Sequence, residues 1–256
     1  MRLLTLTLGL SALLLVSPVQ AEWTDIEQSF SVQPGGTLFL DTEVGGIRID
    51  SHHSDMVEVR VEARGSDGED FKVELTQDGN DVRIVGEKEG RSWGWSVNAM
   101  FTITVPQAYN LELRTSGGSI DIENLDGTVD ATTSGGSIEL GNINGDVDVE
   151  TSGGSIRVED VAGNIQAHTS GGSIKATISE QPTEDSRMTT SGGSVTAYLA
   201  EGIGVDLTAG TSGGRVKSEF DVNGTVRKQK IVGEINGGGP DLFLRTSGGS
   251  VKIKKL

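Results

Sequence analysis

Cysteine is absent from all 256 residues, so neither a disulfide nor a thiolate metal site can hold this chain together. Aromatic residues make up only 4% of it and hydrophobic residues 34%. A composition so poor in apolar bulk belongs to a chain with no core, unless the aliphatic residues are placed rather than scattered. After Val16 no apolar run is long enough to cross a membrane. The chain is rich instead in glycine, with 37 residues, and in acid, with a formal net charge of −16.

The opening Met1-Arg2, the apolar Leu3–Val16 and the small residues Val19 and Ala21 have the form of a secretory signal, residues 1–21, cut after Ala21. Its removal takes away one Arg and no acid, leaving a mature charge of −17. No cysteine follows that point to accept a lipid. An exported chain this acidic is expected to stay soluble and to repel nucleic acid and anionic membrane surfaces. The expected location is the periplasm or the extracellular space, with no membrane insertion after cleavage.

One tetrapeptide organises the rest. Thr-Ser-Gly-Gly begins at Thr115, Thr133, Thr151, Thr169, Thr190, Thr211 and Thr246, at steps of 18, 18, 18, 21, 21 and 35. A fixed period of this kind marks a repeat architecture. In the unit from Ser119 to Gly136, Ile120 and Ile122 share one parity, and Val129, Ala131 and Thr133 share another. Each set reads as a half-buried strand. Asp126-Gly127 and Ser134-Gly135-Gly136 mark two corners, where glycine is expected to supply unusual backbone angles. The pattern predicts an all-β, single-stranded parallel β-solenoid with ~18-residue coils stacked at the ~4.8 Å strand spacing. One coil buries too little to repay the ordering of its residues, so stacking must supply the rest. Leu113, Ala131, Val149, Ala167, Met188, Ala209 and Leu244 should line up inside in that order, beside an inward ladder of Thr115, Thr133, Thr151 and Thr169.

Residues 22–110 form an irregular N-terminal β region. Alternating runs such as Met56–Ala63 and Met100–Val105 are separated by Gly- and Asp-rich punctuation. The Gly45-Gly46-Ile47 corner precedes Gly117-Gly118-Ser119 by four whole periods of the repeat. That spacing makes 22–110 the first coils of the same solenoid and 111–256 its regular part.

Phe30–Leu38 with its Pro34-Gly35-Gly36, Gly45-Gly46-Ile47-Arg48-Ile49, Val105-Pro106 and the closing Ile235-Asn236-Gly237-Gly238-Gly239-Pro240 resemble the adhesin-like family of bacterial β-strand-repeat proteins. They are also similar to toastrack-type domains of cell-envelope stress proteins. The resemblance covers nearly everything after residue 22. It implies a right-handed β-helix-like fold and an envelope or extracellular location, and it brings no catalytic residues.

Few constellations suggest chemistry. Stacking would set Asp130 over Asp148 and Thr128 over Asp146, and a hard cation such as calcium, which takes several oxygen ligands, could sit over Asp130, Asp146 and Asp148. The simpler account is a solvated acidic face. A second column, Asp121, Glu139, Arg157 and Lys175, contains a favourable Glu139–Arg157 step and reads as structure. His52 and His53 point to opposite sides of any strand and cannot share a metal. The serine corners match neither Gly-x-Ser-x-Gly nor a phosphate loop. Trp93-Gly94-Trp95 stands out in a chain so poor in aromatics. On a strand both rings would share a face, either packed at the N-terminal end or exposed to stack on a sugar or a partner.

The expected function is a non-enzymatic, adhesin-like scaffold that binds an envelope protein or polysaccharide, with Trp93, Trp95 and the acidic face as its contact site. A calcium-stabilised module is the alternative. A carbohydrate-active enzyme is the third reading, and the coils lack the long loops that would wall a cleft.

Overall fold

The computed structural model describes residues 23–65, 71–88 and 97–256. The leader, 1–21, and Trp93 and Trp95 lie outside them. Among the described residues there is no helix, and the strands form two large, mostly parallel sheets of eleven and twelve strands.

Between residues 110 and 199 successive strands alternate between the sheets. Asn110–Thr115, Val129–Thr133, Val147–Thr151 and Ile165–Thr169 lie side by side in the twelve-stranded sheet. Ile120–Ile122, Ile138–Ile143, Ile156–Val161 and Ile174–Ile178 do so in the other. Every one of these pairings is parallel. They join positions one period apart, such as Val129 to Val147 and Ile138 to Ile156, because the sequence repeats its apolar parity at that interval; the exception is a register slip that sets Val161 opposite Ile178. Burial alternates along each strand, so one face of each sheet meets the other across an aliphatic core. That core is one continuous cluster from Phe30 to Ile253.

The corners are held by close approach rather than by backbone angle. Among the described residues positive φ occurs at Gly35, Gly45, Gly65, Gly79, Asn236, Gly237 and Gly238, and at none of the glycines of the Thr-Ser-Gly-Gly corners. A Cβ built on Gly154, the second glycine of its corner, would overlap the Gly136 carbonyl of the turn beneath. The same clash recurs at Gly136, Gly172, Gly193 and Gly249, and Gly127 meets the Tyr109 carbonyl in this way. Glycine is therefore required because neighbouring backbones nearly touch.

The threonines form a ladder, with their hydroxyls bonded to these same glycines. Thr151 Oγ1 donates to the Gly136 carbonyl at 2.7 Å and accepts from the Gly154 N–H at 3.3 Å. Thr133, Thr169, Thr190, Thr211 and Thr246 repeat the bond to the adjacent turn. The corner serines form a second ladder. The backbone N–H of Ser137, Ser155, Ser173, Ser194 and Ser250 each donates to the corner serine Oγ of the preceding repeat in the stack. It ends at Arg215, which stands where the other corners have serine and donates its N–H to Ser250 Oγ. These serines are structural hydrogen-bond acceptors.

At both ends spatial order departs from chain order. Thr37–Thr42 pairs directly with Asn110–Thr115, and Gly46–His52 with Ile120–Ile122, in a register that sets Ile47 opposite Ile120. These strands are direct neighbours with none between them, so the interval in sequence does not count out four repeats in space. Asp81–Lys88 and Asn98–Pro106, later in the chain, lie outside that turn. At the other end Asp241–Thr246 and Val251–Lys255 insert between the strands of 186–199 and those of 205–218. The inner column therefore runs Met188, Leu244, Ala209, and not Met188, Ala209, Leu244. Antiparallel partners finish both ends: Phe71–Asp78 on Asp81–Lys88, and Asn223–Arg227 on Lys230–Ile235.

Candidate binding faces

With the inner faces committed to the core, the two outer faces present long rows of solvent-facing side chains. On the twelve-stranded sheet the register lines up one outward column: Arg83, Phe39, Glu112, Asp130, Asp148, Gln166, Arg187, Phe243. Three carboxylates occupy adjacent strands at its centre. Burial, then the Asp130 and Glu150 carboxylates, push the Asp148 carboxyl above its ordinary range. At either end an arginine lies over a phenylalanine, Arg83 at 6.0 Å from the Phe39 ring centre and Arg187 at 4.1 Å from that of Phe243.

Asp130, Asp146 and Asp148, together with Asn164, Glu184 and Asp185, line a shallow groove of about 390 Å³. Asp146 sits one column away from the other two, and its Oδ1 accepts from both the backbone N–H and the side-chain Nδ2 of Asn164, at 2.9 and 3.0 Å. Asn164 in turn accepts from the N–H groups of Thr183 and Glu184, which ties the 180–185 excursion across the sheet. Among the described residues no three His, Cys, Asp or Glu side chains are grouped to hold a metal ion. What this face offers is negative potential toward a cation or a basic partner.

The outer face of the eleven-stranded sheet is sorted by charge. On its middle strands stand Asp121, Glu123, Glu139 and Glu159, and on the N-terminal side Arg48 and Arg60 are paired with carboxylates. Toward the other end the outward row runs Arg157, Lys175, Thr196, Lys252, Lys217, in register across five strands. Beside it lie Tyr198 and Lys254. The ammonium groups of Lys175 and Lys254 lie 5.1 and 5.5 Å from the Tyr198 ring centre. Arg157 faces Glu139 in the register, yet its guanidinium lies 3.7 Å from Glu159, on its own strand.

His52 and His168 make local contacts. His52 Nε2–H donates to the Met56 carbonyl at 2.8 Å, and His168 Nδ1 lies 2.8 Å from Thr189 Oγ1. Of the residues singled out from sequence, Asp130 and Asp148 are brought together and Asp146 is set beside them; Trp93 and Trp95 lie outside the described residues. The lysine row was missed, although Glu139, Arg157 and Lys175 were already aligned. Lys252 and Lys254 join it only because the last strand inserts out of order.

No family model matches this chain, and no curated protein matches it. Among solved structures it is similar to a candidate cell adhesion protein from Clostridium sporogenes, at 14% identity over 91% of this chain and 100% of that one, with a TM-score of 0.45. A candidate adhesin from Bacteroides fragilis is 15% identical over 91% and 97%, with a TM-score of 0.42. Another from Parabacteroides distasonis is 9% identical over 93% and 98%, with a TM-score of 0.30. These three are candidate adhesion proteins, the class the sequence resembles. At these scores they say nothing of what this chain binds.

Proposed function

We propose that this chain is an exported, non-enzymatic β-solenoid scaffold that binds a protein or polysaccharide of the cell envelope through its outer faces. Residues 22–110 are its first, irregular turns, and 111–256 its regular ones. The observation that carries the reading is the sorting of exposed charge on a stiff repeated frame. Carboxylates stack at the centre of one face, and lysines gather at one end of the other. Evenly spaced groups on a surface that cannot rearrange suit an extended partner, because little ordering entropy is lost on binding. Export rests on the leader-like residues 1–21.

The contact site on this reading consists of Trp93, Trp95 and the acidic face. The Trp93→Ala/Trp95→Ala double variant is expected to weaken binding to an isolated envelope fraction about tenfold, since buried aromatic anchors dominate interfaces. Its melting temperature and circular dichroism should be unchanged. Equal binding by the variant removes the two tryptophans from the site.

A further inference from the structure

We infer that the C-terminal end of the outer face of the eleven-stranded sheet is a docking strip for an acidic polysaccharide, a linear polymer bearing carboxylates along its length. This rests on the scaffold reading above and gives the chemistry of one partner.

The chain distributes its charge unevenly. Residues 111–200 hold four Lys and Arg against fourteen Asp and Glu, whereas 201–256 hold nine against six. The fold concentrates that difference further. Because Val251–Lys255 lies between Val195–Leu199 and Val216–Ser218, Lys252 is placed directly beside Lys217, with Lys175 two strands away in the same row. Among the described residues Lys175, Lys217, Lys252 and Lys254 have no carboxylate within ion-pair distance. The cations Arg48, Arg60 and Lys255 all do.

Like charges on adjacent strands repel. In a chain with 37 carboxylates, leaving these lysines without a carboxylate partner favours a ligand that supplies the missing anions. The row repeats at the strand spacing, ~4.8 Å, so a straight polymer with one carboxylate per unit of similar length can meet each cation in turn. Tyr198 steadies two ammonium groups over its ring. Thr196 sets a hydroxyl in the row between Lys175 and Lys252, and Thr177 stands beside Tyr198, which suits a sugar.

A flat anionic membrane or a nucleic-acid duplex fits less well. Either would spread over the same face and meet Asp121, Glu123 and Glu139.

The test is binding of the purified protein to polygalacturonate, with uncharged dextran as control. Binding to polygalacturonate alone, weakening as salt is raised, is expected. The Lys175→Gln/Lys217→Gln/Lys252→Gln variant should lose at least about tenfold in affinity with an unchanged melting curve. An Arg48→Gln/Arg60→Gln/Arg64→Gln variant, with the same change in net charge, should bind as the parent does. Equal binding by the lysine variant, equal loss in both variants, or tighter binding to phosphatidylglycerol vesicles or duplex DNA would each overturn the assignment. If the parent ignores polygalacturonate but still binds the envelope fraction, only this inference fails. If it binds neither, the scaffold reading fails with it.

Discussion

The middle of the molecule and its two ends obey different rules. From residue 110 to 199 the neighbour in space is the next repeat in sequence, and every pairing is parallel. At each end one turn is displaced. The 37–52 turn lies inside the strands of 81–106, and 241–255 lies inside 205–218. An antiparallel hairpin closes the twelve-stranded sheet on both sides. A stack of identical turns has two raw edges, which fray and recruit other chains. Interleaving gives the last strand, Val251–Lys255, partners on both sides. The hairpin tip is also tied down, since the Lys228 carbonyl accepts from the Val216 N–H at 2.9 Å. Repeats specify stacking, and the ends have to be specified separately.

The strongest way to break this contrast is to delete residues 241–256. That removes Leu242, Leu244, Val251 and Ile253, four buried side chains worth a gross burial of roughly 6–12 kcal/mol. It also leaves 205–235 without an inner partner. Hydrogen exchange should show protection lost throughout Val205–Ile235 and retained in 111–170. Uniform loss would mean that the two regions are one cooperative unit.

Next in size is a pair of glycine substitutions within the regular part. Gly154→Ala forces a methyl into the Gly136 carbonyl, whereas a Cβ on Gly117 meets nothing within 4 Å. The first should cost about 3 kcal/mol or more, the second less than ~0.5 kcal/mol. Urea titration of both compares the first and the second glycine of the repeated corner.

Thr151→Val keeps the shape and removes the hydroxyl. It leaves the Gly136 carbonyl without its donor and the Gly154 N–H without its acceptor, at a cost of about 1–3 kcal/mol. A neutral result would show that the ladder contributes shape alone.

The smallest effect belongs to Asp148. Its carboxyl holds a proton more tightly in the folded chain than in the unfolded one, because of burial and then Asp130 and Glu150. Ionisation therefore costs stability as pH rises through the folded value. Asp148→Asn should stabilise the protein at neutral pH by less than ~1 kcal/mol, since the group is largely exposed. The gain should fade in acid and in high salt. A gain that persists at low pH would point to packing instead.

Much of the fold was legible in advance. The repeat step, the inward parity of Ile138, Leu140, Val147 and Val149, and the placing of Asp130 beside Asp148 follow from a repeat that must bury the same atoms each turn. The glycines were recognised as corner residues for the wrong physical reason. Backbone angle is a local property that a tetrapeptide suggests, while the clash of Gly154 with Gly136 exists only between turns. The lysine strip was hidden for a similar reason. Lys252 and Lys254 look like guards at a chain end until the inserted strand sets them beside Tyr198 and Lys217.

By itself, then, the sequence determined the all-β character, the period and the two faces of each strand, because alternation and spacing are written into every unit. Tertiary structure alone decided which turn lies beside which at the ends, why the corners need glycine, and where the unpaired positive charge collects. Those depend on contacts between residues far apart in the chain, and no local pattern encodes them.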